Sequence, residues 1–152
     1  MSSRCAVCGE PFREGDSVIC LVFEEKGGNV SRFDVLERNA GGFSFLGTLL
    51  GRWKKVISSR KNDNPDARRL LAEREEFFFS LFEGESDEKK EILKQIFALL
   101  LERKRILRAS GKTSENLVRY VHVKTGREFP VSDRELQPED LTFVENVLEM
   151  LS

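Results

Sequence analysis

The chain has 152 residues, a net charge of −1, and 34% charged against 39% hydrophobic residues. That length suits one domain with its own core, or a small appendage beside a larger core. Near-neutrality excludes a global field drawing the chain onto nucleic acid or anionic lipid, and the clustered, periodic apolar residues exclude a disordered chain. No charged-then-apolar signal pattern opens the sequence. The longest uncharged run, Asn39 to Gly51, is too short and too rich in glycine to cross a bilayer as a helix. Three cysteines, two of them in a C-x-x-C pair, suit a reducing compartment better than a disulfide framework. A cytoplasmic protein without a membrane partner is the expectation.

The elements follow in chain order. After the pair Cys5 and Cys8, the segment Val18 to Phe23 is β-branched and aromatic, Lys26 to Asn29 offers a glycine turn, and Val30 to Leu36 returns as a second strand. Residues 39–62 read as glycine-rich and then basic. Asn64 as N-cap and Pro65 at the first helical position start a helix, with Ala67, Leu70, Leu71, Phe77, Phe78, Leu81 and Phe82 at helical spacing and Gly84 as its stop. A second helix is capped by Ser86, runs to about Ala109 and closes at Gly111, which predicts an antiparallel helical hairpin. Residues 116–131 read as a second β-hairpin turning at Thr125-Gly126, with Pro130 on an edge because it has no N–H to donate. Pro138 opens a last helix whose apolar face holds Leu141, Val144, Val147, Leu148 and Leu151. The expected class is α+β: a zinc-knuckle-like β-hairpin unit over 1–40, a linker over 41–62, and a domain over 63–152 containing the helical hairpin, the second β-hairpin and the C-terminal helix.

Cys5-x-x-Cys8-Gly9 followed by a hairpin is how a zinc knuckle begins: two thiolates come from one tight turn, and the glycine is free to take positive φ. The second ligand pair then belongs just after the hairpin. A C-x-x-C spacing laid there falls on Leu36 and Asn39, neither a credible zinc ligand. Asp34 and Glu37 could add oxygens of lower preference. Cys20 lies mid-strand, facing the same way as Val18 and Val22, and His122 is on the distant second hairpin. The favoured expectation is a knuckle that keeps its shape without a cofactor; zinc at Cys5 and Cys8 is the alternative. Redox use of the pair is weaker, because no helix follows to lower a thiol pKa.

These segments resemble a bacterial protein family of uncharacterised activity, with an N-terminal C-x-x-C-G, an R-x-D-x-C-x-x-C-W segment, an F-x-F-W segment and a leucine-rich helix ending M-R-K-R. The matching pieces are Cys5, Cys8 and Gly9, then residues 32–40, 41–48 and 98–107, and the closing 126–136. The resemblance implies a treble-clef or zinc-ribbon-like knuckle and no particular activity. Leu36 and Asn39 stand where its second cysteine pair would be, and Ala40 where its tryptophan would be, which sets its zinc site in doubt.

Two basic stretches are candidate nucleic-acid contacts. Trp53 sits among Arg52, Lys54, Lys55, Arg60 and Lys61, a mixture of stacking surface and charge suited to single strands. Arg103, Lys104, Arg105, Arg108 and Lys112 cluster at the expected end of the second helix, where cations also complement the helix dipole. Phe77, Phe78 and Phe79 span roughly 200° of a helix surface. Either that helix is covered on two sides, or a phenylalanine meets a protein partner, a second copy included. His122, the only histidine, reads as a half-exposed surface residue. No carboxylate pair, nucleophile–base set or complete metal site is legible, so an enzyme is not expected. The expected function is a non-enzymatic protein-binding or adaptor module, with nucleic-acid binding and zinc binding as alternatives.

Overall fold

The computed structural model describes residues 3–57, 66–114 and 116–151, which form an α+β fold. Contacts divide the chain into one unit of Met1–Ser80 with Glu145–Ser152, and another of Leu81–Val144.

In the first unit, β1 (Ser17–Glu24) and β2 (Val30–Leu36) form the expected hairpin. Its turn uses Gly27 and Gly28 at φ of 101° and 90°, values open to glycine and strained for other residues. A short 3-10 helix, Glu37–Gly42, follows, then β3 (Thr48–Val56), which pairs with β1 to give the order β2-β1-β3. In this register Cys20 lies opposite both Asp34 and Trp53, so the three share one face with Val18, Val22, Arg32 and Gly51. Helix α1 (Asp66–Ser80) packs on that face through Phe77, whose ring meets Trp53 edge-on at 5.7 Å. Gly51 makes the approach possible: a Cβ there would lie 2.6 Å from the Phe77 ring. The opposite face carries Phe23 and Phe33, and Phe43 and Phe45 fold back over them.

The second unit begins with α2 (Glu88–Arg103) and a sheet of β4 (Leu107–Ser114), β5 (Leu117–His122) and β6 (Glu128–Ser132) in that order. Phe97, Leu101, Leu107, Tyr120, Phe129 and Val131 are buried in it. Pro130 lies on the edge strand β6, and the turn at Thr125-Gly126 closes the hairpin with Gly126 at φ 78°. Helix α3 (Pro138–Leu151) starts in this unit, and its residues from Glu145 belong to the first.

Several expectations need correction. The stretch 39–62 contains a full strand, β3. The second helix ends at Arg103 rather than near Ala109, because Arg105 takes a left-handed φ of 62° and Ile106 N–H bonds back to the Leu101 carbonyl at 2.9 Å. Gly111 therefore sits within β4. The N-cap of α2 is Asp87, whose Oδ1 accepts from Lys90 N–H at 2.9 Å; Ser86 instead donates to the Glu91 carboxylate. On α3, Leu141 is 48% exposed and Phe143 takes its place among the buried residues with Val144, Val147 and Leu151. Asn64 and Pro65 lie outside the described residues. Among the described residues no helix is long and apolar enough to cross a membrane.

Candidate functional site

The turn Cys5–Gly9 has the shape the spacing predicts. Gly9 N–H bonds to the Cys5 carbonyl and Cys5 N–H to the Glu10 carbonyl, both at 2.9 Å, with Gly9 at φ 76°. Ala6 N–H donates to the Asp34 carbonyl at 3.0 Å, which ties the knuckle to the end of β2. The sulfurs face Leu36 and Asn39, the positions that the knuckle spacing assigns to a second ligand pair. Leu36 N–H donates to Cys5 Sγ at 3.3 Å, and the Asn39 amide nitrogen lies 3.2 Å from Cys8 Sγ and 3.7 Å from Cys5 Sγ. Val7 N–H is a further donor to Cys5, at 3.4 Å.

Burial of Cys5, only 3% exposed, works against its thiolate. The N–H groups of Cys8, Leu36 and Val7 and the Asn39 amide outweigh it, so the thiol falls from 9.0 to about 7. Cys20 goes the other way: burial, reinforced by the Asp34 and Glu73 carboxylates, pushes its thiol up and keeps it protonated. Zinc requires four convergent lone pairs. The knuckle presents two sulfurs, and the positions facing them supply hydrogen-bond donors, not ligands. Among the described residues no group of three His, Cys, Asp or Glu side chains could hold a metal ion. The zinc implied by the resemblance does not fit this donor set.

Trp53 does not offer a stacking platform. It is 5% exposed and its indole N–H donates to Glu73 Oε2 at 2.9 Å. Glu73 Oε1 also takes Lys55 Nζ at 2.8 Å and the Arg32 guanidinium at 3.2 Å. Arg32 in turn reaches Asp34 at 3.1 Å and the Met150 carbonyl at 3.0 Å. Burial would depress the Arg32 pKa; the Asp34 and Glu73 carboxylates raise it instead. Lys54 pairs at the surface with Glu37, 3.3 Å away, and Arg52 is exposed. Arg60 and Lys61 lie outside the described residues. The basic set Arg103, Lys104, Arg105, Arg108 and Lys112 is exposed but runs from the end of α2 into β4, with Lys112 3.6 Å from Asp133.

Phe77 and Phe78 are buried and Phe79 is half-buried, so the triplet presents no open patch. His122 is also buried, at 5% exposure, and its Nδ1 shares a hydrogen bond with Thr125 Oγ1 at 2.8 Å. Among the described large hydrophobics Leu46 is the most exposed, at 94%, and follows Phe45, whose ring meets those of Phe23 and Phe33. The only available signal was its position in a run of phenylalanines and glycines. Compared with known proteins, the chain matches no family model, no curated protein and no solved structure.

Proposed function

We propose that this chain is a non-enzymatic protein-binding module whose docking face is the aromatic cluster of Phe23, Phe33, Phe43 and Phe45 with Leu46 at its rim. The exposure of Leu46 carries the reading. Full burial of a leucine side chain gains about 1.5–3 kcal/mol, so one left in water next in sequence to Phe45, whose ring packs on Phe33, is a ready anchor for a partner. Beside it lies an open cleft of about 480 Å³ lined by Glu24, Glu25 and Lys26 together with the turn glycines. Two carboxylates against one ammonium favour a partner segment that carries an apolar side chain next to a basic one. The buried charged side chains of Arg32, Asp34 and Glu73 are engaged with one another and with half-buried Lys55, which supports a structural role for them rather than chemistry on a substrate. The nucleic-acid reading loses its stacking residue, because the Trp53 indole is buried against Glu73 and Phe77.

The test places a photocrosslinking residue at position 46 and maps the crosslinked segment of the captured protein. A synthetic peptide of that segment should bind the chain, and Leu46→Asp should weaken binding at least tenfold while leaving the melting temperature unchanged. Equal binding by the aspartate variant, or crosslinking no stronger than from position 56, would overturn the proposal.

A further inference from the structure

The two sulfurs of the knuckle differ in access while sharing one hydrogen-bond donor. Cys8 is exposed and Cys5 is buried, and the Asn39 amide nitrogen lies 3.2 Å from the first and 3.7 Å from the second. Among the described residues no further His, Cys, Asp or Glu joins the two sulfurs in a group that could hold a metal ion. An accessible thiol with a sheltered partner held at its side is the arrangement of an attacking and a resolving cysteine. We propose that Cys8 and Cys5 form a thiol–disulfide exchange site for low-molecular-weight disulfides of the glutathione type. In the first step the Cys8 thiolate attacks one sulfur of the disulfide, forms a mixed disulfide and expels one thiolate. In the second, the Cys5 thiolate attacks the Cys8 sulfur, breaks the mixed bond, forms the Cys5–Cys8 disulfide and expels the second thiolate. The two protons lost from the cysteines end on the two departing thiols, so the chain is oxidised by two electrons and the small disulfide is reduced.

Each residue has a distinct part. Cys5 needs no access to solvent, because its attack is on a neighbour in the same turn. Asn39 is a positioning residue: it holds both sulfurs in the dithiol state and loses that role once they bond to each other. Cys20 takes no part, being fully buried within β1. This inference does not rest on the aromatic docking face and is tested without reference to it.

The full chain is reduced, equilibrated in glutathione buffers over a range of oxidised-to-reduced ratios, quenched in acid and mapped by mass spectrometry. The expected product has lost two hydrogens, links Cys5 to Cys8, retains no glutathione and leaves Cys20 reduced. Cys8→Ser should take up no glutathione, and Cys5→Ser should retain one on Cys8. Asn39→Ala, with a native circular dichroism spectrum, should move the midpoint ratio at least threefold. A wild-type chain that stays reduced, keeps a stable glutathione adduct or pairs through Cys20 would overturn the proposal. Should Cys5→Ser fail to fold, the wild-type map and Cys8→Ser decide between these outcomes.

Discussion

The amide nitrogen of Asn39 lies 3.2 Å from the sulfur of Cys8, at the position where a second cysteine pair would complete a zinc tetrahedron. A donor now stands where a ligand would, and it holds the turn by hydrogen bonds to sulfur. Leu36, three residues earlier, contributes its backbone N–H to Cys5 at 3.3 Å. The double substitution Leu36→Cys with Asn39→Cys should therefore rebuild a four-thiolate site. Metal analysis should find one zinc per chain in that variant, and a melting temperature that falls on chelation. A double variant with no more zinc than the wild type would show that the knuckle no longer has the geometry.

Cys5 links the same turn to pH. Burial opposes its thiolate but the surrounding N–H donors prevail, so its pKa is about 7 folded against an ordinary 9.0. A group whose folded pKa is depressed adds stability that is fully present above the unfolded value and is lost as pH falls through the folded one. Unfolding free energy from urea titrations should rise between about pH 7 and 9, and Cys5→Ser should flatten that rise. In Asn39→Ala the Cys5 pKa, read from its Cβ chemical shift, should move upward because one donor is lost.

Glu73 holds together Arg32, Lys55 and Trp53. Removing one partner of a buried ion pair leaves the other charge unsolvated, at a cost of about 3–5 kcal/mol. Glu73→Ala should destabilise the chain by that amount in chemical denaturation and shift the Trp53 fluorescence. Glu73→Gln, which keeps the shape and part of the hydrogen bonding, should cost less. Near-neutral behaviour of the alanine variant would mean that Asp34 and the Met150 carbonyl satisfy Arg32 without Glu73.

Gly51 tests the seating of α1 on the sheet. A Cβ there would fall 2.6 Å from the Phe77 ring, well inside van der Waals contact. Gly51→Ala should cost about 1–3 kcal/mol through overpacking, and Phe77→Leu in the same chain should recover part of it. Purely additive effects in this double-mutant cycle would contradict the contact.

Legibility in the sequence followed locality. The first hairpin was readable because a β-branched and aromatic run, Val18 to Phe23, leads into a Gly-Gly turn and a returning segment, and the second because its turn and edge proline carry their own signals. Strand β3 was hidden: its face toward α1 presents Gly51, Trp53 and Lys55, and the glycine and lysine make sense only with Phe77 and Glu73, more than fifteen residues away. The end of α2 was hidden because Arg105, not a glycine, takes the left-handed conformation that stops it. The basic character of residues 51–61 suggested a surface for nucleic acid, yet strand alternation turns Trp53 inward and leaves Arg52 and Lys54 outside. At the knuckle, spacing alone located Leu36 and Asn39 opposite the sulfurs. It could not show that Asn39 would bond both of them, since that depends on how the 3-10 helix Glu37–Gly42 presents the side chain.

Hydrogen bonds from the Asn39 amide and the Leu36 N–H hold the sulfurs of the knuckle. The most direct test is elemental analysis of the wild-type chain purified without chelator, in parallel with Asn39→Ala. Far less than one zinc per chain is expected, with a melting temperature that chelation leaves unchanged. Equimolar zinc that disappears when Cys5 and Cys8 are changed to serine would contradict it.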